Sequence, residues 1–187
     1  MTSGGILSPS TSALVIALVG IAGTLTSALL TQRSANSSKI RELERIDEQR
    51  REDRAYQAEQ AAIEARRSCY VALNIAARLY QTALTNYLVA IRAGAVTDEI
   101  RTDVDEMRRE HRSRHAEAQM VVPDSVLEAA GAVNGNLGKF YGTLKGIDLG
   151  TANADETIEA AEARRVRSWD LLGEMRAVMR RDLGIAP

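Results

Sequence analysis

His111 and His115 stand four residues apart, a spacing that puts two imidazoles on one face of an α-helix, as a helical metal site requires. The rest of such a site is missing. A zincin keeps a general-base glutamate in His-Glu-x-x-His, whereas this segment reads His111, Arg112, Ser113, Arg114, His115. A di-iron bundle needs Glu-x-x-His, and Arg108 and Arg112 occupy the glutamate positions. Arg108, Arg109, Arg112 and Arg114 also surround the pair with positive charge, which opposes a bound cation. His111 and His115 are thus metal candidates on spacing alone, and interfacial or partly exposed histidines are the expectation. Neither a metal nor another cofactor is expected.

Other residues with chemical potential read as structural. With both histidines on one helix, no Ser-His-Asp or Cys-His arrangement can be assembled, so no catalytic residue is expected and the chain does not read as an enzyme. Gly138-Lys139 looks superficially like the end of a phosphate loop, but Val133 stands where the first glycine belongs and Phe140 where the hydroxyl residue belongs. Gly131, Gly135, Gly138, Gly142 and Gly146 form a ridge along one helix; each costs about 1 kcal/mol in helix propensity against alanine, which points to close helix approach. Arginines cluster at 108–114 and 164–167, yet acids are interspersed and the pI is near 6.2, so a solvated face is expected and nucleic acid is not an expected partner. Tyr70, Tyr80 and Tyr87 read as core residues whose hydroxyls reach the bundle edge, and Cys69 beside them as a half-buried, inert thiol.

The elements that would carry these residues follow from periodicity. Tyr70, Leu73, Ala77, Tyr80, Leu84, Tyr87 and Ile91 share one helical face, and Gly94 stops that helix. Thr97 starts the next, with Ile100, Val104, Met107, His111, Ala118 and Val122 in its stripe. Pro123 to Ser125 begin a third, striped by Val126, Ala130, Val133, Leu137, Phe140 and Leu144, and interrupted at 146–151. The fourth is expected from Asn153, with Glu156 completing a capping box, and buries Ile158, Ala161, Trp169, Leu172, Met175 and Met179. Short connections force antiparallel neighbours, so the prediction is an all-α, up-down four-helix bundle.

Upstream, the first 32 residues contain no ionisable side chain, and Ala13 to Leu30 is a weakly polar-to-apolar run. As a helix it spans roughly 27 Å, close to the hydrocarbon thickness of a bilayer. A signal peptide would carry Lys or Arg before a shorter core, so a single transmembrane helix is predicted. Arg33, Lys39, Arg41 and Arg45 follow it and no basic residue precedes it, which places the N-terminus outside the inner (cytoplasmic) membrane and the rest in the cytoplasm. Gly20, Gly23, Thr24, Ser27 and Ala28 have the spacing of a small-residue face for helix–helix approach, although ordinary tolerance of small residues in lipid is the favoured explanation. Residues 38–60 mix six basic with seven acidic side chains, with helical pairs such as Glu42–Arg45, Asp47–Arg51 and Glu48–Arg51. Their apolar stripe of Ile40, Leu43 and Ile46 gives way to Arg50, Asp53 and Gln57, so a coiled coil is not sustained. The predicted organisation is a tail at 1–11, a transmembrane helix at 12–32, a charged helical stalk at 33–60 and a cytosolic bundle at 61–187.

The membrane segment with Gly23 and Thr24, the charged helix, Arg66, Arg67, Tyr70, and the run Ala76, Ala77, Arg78, Leu79, Tyr80 together resemble a broad group of actinobacterial single-pass helical membrane proteins. Some of that group are KilB-like and associated with conjugative plasmids. The likeness covers residues 13–92, implies a membrane-anchored helical protein linked to a mobile element, and carries over no functional residue. The expected function is a non-enzymatic, membrane-anchored helical adaptor or scaffold, with the lipid bilayer and a protein partner or second copy as its contacts. A ligand- or metal-sensing bundle and a plasmid-transfer or maintenance protein are the alternatives.

Overall fold

The computed structural model describes residues 9–185, with the side chains of residues 27, 32, 39 and 42–185. Four helices follow in order: α1 (Pro9–Ala93), α2 (Asp98–Ala118), α3 (Asp124–Leu149) and α4 (Ile158–Asp182). The chain divides into two compact units, Met1–Ala58 and Glu59–Pro187.

In the first unit the side chains of residues 42–58 are all exposed, Leu43, Ile46 and Tyr56 included. The expected pairs Glu42–Arg45, Asp47–Arg51 and Glu48–Arg51 form no ion pair within 4.0 Å, while Arg54 Nε donates to the Arg50 carbonyl at 3.1 Å. Among the described residues no helix is long and apolar enough to cross a membrane. The expected transmembrane helix at 12–32, the single-pass topology, the inner-membrane localisation and the lipid bilayer as partner are corrected to that extent: no described helix carries them, and the side chains of 12–32 other than residues 27 and 32 lie outside the described residues. The described part of α1 in this unit, residues 42–58, is charged throughout and cannot itself lie in a bilayer, since each such group costs about 2.5–3.5 kcal/mol at the centre of one. The side chains of Ala13 to Leu30 lie outside the described residues except Ser27, which is exposed, so the small-residue face of Gly20, Gly23, Thr24, Ser27 and Ala28 falls largely outside them too.

The second unit is an up-down four-helix bundle. Tyr70 on α1 reaches Asp182 near the end of α4, and Arg92 reaches Glu162 near its start, so α1 and α4 run antiparallel. Tyr141–Asp105 and Asp148–Arg101 set α3 antiparallel to α2, and Asn136 bonds to Arg164 and Ser168 across the α3–α4 interface. The core joins all four helices through Leu73, Leu84, Val104, Leu137, Phe140 and Met175. Every apolar stripe residue expected on α3 is buried, and on α1 all but the partly buried Ile91. Burial of one such leucine is worth roughly 1.5–3 kcal/mol.

Local signals fix the helix ends. Gly94 (φ 63°) and Gly150 (φ 67°) take the left-handed conformation that glycine adopts without strain, and Ala95 N–H and Thr151 N–H close back onto Ala90 and Gly146 carbonyls at 2.9 and 2.8 Å. Thr97 and Thr157 cap α2 and α4 by accepting from Ile100 N and Ala160 N at 3.3 and 3.2 Å.

Three expectations are corrected here. The α4 start lies at Ile158 rather than near Asn153: Glu156 does accept from Asn153 N at 2.8 Å, but this closes a turn before the helix. Trp169 is 46% exposed, and Ser168 takes the core position beside it, since its hydroxyl can donate to the Arg164 carbonyl at 2.9 Å and accept from Asn136. The glycine ridge does not mark close helix approach along its length. A Cβ at Gly131, Gly135, Gly138 or Gly142 would meet nothing within 4 Å, and only at Gly146 would it touch backbone, Ala152 Cα at 3.2 Å.

Candidate functional site

The α1–α2 interface holds the histidine pair. His111 is 1% exposed and its ring lies 5.6 Å from that of Tyr80 and 6.3 Å from that of His115. His111 Nδ1, His115 Nε2 and the Tyr80 hydroxyl are buried without hydrogen-bond partners. Burial, reinforced by the neighbouring His115, pushes the His111 pKa down to about 4, and burial lowers that of His115 as well. The pair is therefore neutral near pH 7, as ligation would need. Among the described residues, however, no group of three or more His, Cys, Asp or Glu side chains is placed to hold a metal ion. Cys69 is buried, and its thiol is shifted up by that burial, which makes it a poor nucleophile.

The three tyrosines of the α1 stripe have different fates. Tyr70 donates to Asp182 at 2.6 Å and Tyr87 to Asp148 at 2.7 Å, so both hydroxyls reach a carboxylate at the bundle edge, whereas that of Tyr80 stays inside. Asp148 also accepts both Nε and Nη2 of Arg101, at 2.7 and 3.0 Å, and this guanidinium holds its carboxyl below the usual range. These groups latch helices together.

An open apolar face lies instead where α1 meets α4. Val71, Ile75 and Leu79, one helical turn apart on α1, are 54%, 52% and 50% exposed. A groove of about 240 Å³ runs beside the first two, floored by Tyr70, Met179 and Leu183 and closed by Ile185. Farther along, Trp169 lies exposed under the Arg78 guanidinium, 5.7 Å from the ring centroid. Arg67, Arg176 and Arg180 rim the groove, and no carboxylate lines it. The periodicity of 71, 75 and 79 is visible in the sequence, but it shares a helix with the stronger core stripe 70, 73, 77, 80 and was masked by it.

The two arginine clusters separate. In 164–167, Arg165 pairs with Glu162 and Arg167 with Asp170 and Glu174. In 108–114, Arg114 pairs with Glu110 and Glu117, while Arg108 lies over the Tyr141 ring at 4.4 Å.

No protein-family model matches this chain, and neither a curated protein nor a solved structure does. The resemblance to actinobacterial single-pass membrane proteins is corrected accordingly: no described helix is long and apolar enough to cross a membrane, and the loose helical patterns on which it rested are those of any amphipathic bundle.

Proposed function

We propose that this chain is a helical docking module whose α1–α4 groove binds an amphipathic helix with acidic flanks, without catalysis by the chain itself. The observation that carries the reading is the run of exposed Val71, Ile75 and Leu79 beside a groove rimmed by Arg67, Arg176 and Arg180 and free of carboxylates. Apolar side chains left in water over three turns offer the burial that drives helix-in-groove recognition, and the arginines select the charge of the partner's flanks. A second copy using the same face would set arginine against arginine across a two-fold axis, so self-pairing through it is disfavoured and a different partner fits.

The test is selection of displayed helical peptides on the purified chain. Enriched peptides should carry apolar residues at i, i+3 or i+4 and i+7 with Asp or Glu beside them, and should lose binding to Ile75→Asp and to Arg176→Glu. Peptides lacking that pattern, or binding both variants as well as the parent, would reject the reading.

A further inference from the structure

Between α2 and α3, on residues that the docking groove does not use, the polar side chains form a second surface feature. A groove of about 420 Å³ is lined by Thr102, Asp105, Arg108, Arg109, Tyr141 and Lys145. Its floor is organised by a relay: Lys145 Nζ donates to the Tyr141 hydroxyl at 2.7 Å, which donates to Asp105 at 2.6 Å. The one carboxylate of the groove is thereby engaged by the phenol. The Arg108 guanidinium carbon lies over the same phenol ring, 4.4 Å from its centroid, and Lys145 Nζ lies 5.2 Å from it. Arg109 makes only a 3.4 Å bond from Nε to the Asp105 carbonyl, leaving its terminal nitrogens open.

None of Arg108, Arg109 and Lys145 forms an ion pair among the described residues, although on the same helix Arg101 pairs with Asp98 and Asp148, and Arg114 with Glu110 and Glu117. Three cations against one engaged carboxylate give the groove a local excess of positive charge. All three are donors without acceptor capacity, and they are held around a tyrosine that α3 fixes in place. The hydrogen bond to Tyr141 raises the Lys145 pKa, which keeps its ammonium charged.

We propose that this groove binds a small phosphorylated molecule through a terminal phosphomonoester, with its oxygens on Arg109 and Lys145 and against Arg108. Guanidinium and ammonium groups arranged this way match the acceptor-only oxygens of a compact dianion. The groove falls within the roughly 300–1,000 Å³ of small-molecule sites, so it has room for the body of an ester beyond the phosphate. Thr102, whose hydroxyl donates to the Asp98 carbonyl at 2.8 Å, offers its oxygen as an acceptor to that body. A long polyanion fits less well, because α2 also carries Asp103, Glu106 and Glu110, and a duplex laid along it would meet those charges.

Calorimetric titration of the full chain at low ionic strength with inorganic phosphate and with glucose 6-phosphate tests this. Saturable binding of both is expected, with the ester tighter, and roughly tenfold weakening in Arg109→Gln and in Lys145→Gln. Lys139→Gln, which removes an exposed cation outside the groove on the same helix, should leave binding unchanged, and thermal melts confirm that each variant is folded. Ile75→Asp should also bind phosphate normally, which keeps failure of the docking reading separate. The proposal is overturned if neither probe saturates, if Lys139→Gln weakens binding as much as Lys145→Gln, if the ester binds no tighter than inorganic phosphate, or if a duplex oligonucleotide outcompetes both at equal ionic strength.

Discussion

Acidification should weaken this bundle well above the range in which carboxylates titrate, and His111 is the reason. Its imidazole is buried in the α1–α2 interface against Tyr80, with His115 the charged neighbour when protonated. The folded-state pKa of about 4 lies below the unfolded value of about 6.5. The unfolded chain therefore binds the proton first. Stability is complete above the unfolded value and is lost as the pH falls from there towards the folded value. The full difference corresponds to about 3 kcal/mol, of which about 2 kcal/mol is gone by pH 5. Against a typical domain stability of about 5–15 kcal/mol this is a large loss. Urea unfolding followed by helical circular dichroism, at constant ionic strength from neutral to mildly acidic pH, reads it directly. His111→Leu should flatten most of that slope, leaving the smaller contribution of His115, and raise stability at neutral pH by roughly 1 kcal/mol by removing an unpartnered ring nitrogen. With only two histidines in the chain, proton NMR can assign each ring by substitution and titrate it. A His111 pKa near the unfolded value, or an unchanged slope in His111→Leu, would refute the reasoning.

Gly131→Ala, Gly135→Ala, Gly138→Ala and Gly142→Ala should each raise stability by roughly 0.5–1 kcal/mol, since the added methyl meets nothing, whereas Gly146→Ala should show no such gain because of Ala152; thermal melts separate them. Tyr80→Phe removes a buried hydroxyl that has no partner and should be neutral or stabilising, while Tyr87→Phe breaks its bond to Asp148 and should cost roughly 1 kcal/mol in urea unfolding. Thr97→Ala and Thr157→Ala should each cost about 1 kcal/mol by loss of the cap, measured in the same way. Leu84→Ala, at the fully buried centre of α1, should cost roughly 2–5 kcal/mol, whereas Trp169→Ala on the exposed face should cost far less.

The bundle was legible because a 3.6-residue repeat states which face must leave water, and the stripes of α1 and α3 state it with little competition. On α4, a large aromatic lay one position from a serine, and size alone favoured Trp169; the bonds that Ser168 donates to the Arg164 carbonyl and accepts from Asn136, which make its burial inexpensive, join residues invisible to a periodicity count. The glycine ridge misled because propensity registers the cost of a glycine without saying whether anything approaches it. Asp105, Tyr141 and Lys145 come from two helices and meet only after folding, so no spacing announces the polar groove they organise. The exposed 71, 75, 79 stripe was readable in principle, but a second apolar face on a helix that already has a core face is recognised only when something fails to cover it.

The three connections of the bundle are short, residues 94–97, 119–123 and 150–157, so each helix meets its successor early in any search. The α1–α4 seam is different: Tyr70 and Asp182 are 112 positions apart in the chain. Loop-closure entropy grows with the logarithm of that separation, and contacts of this range form after local ones have shortened the effective loop. The seam is thus the part of the bundle expected to close last on folding and open first under stress, and the groove beside Val71 and Ile75 exists only while it is shut. A helix bound there would span both sides of the seam and act as a clasp, so the same event that recruits a partner would slow the opening of the fold.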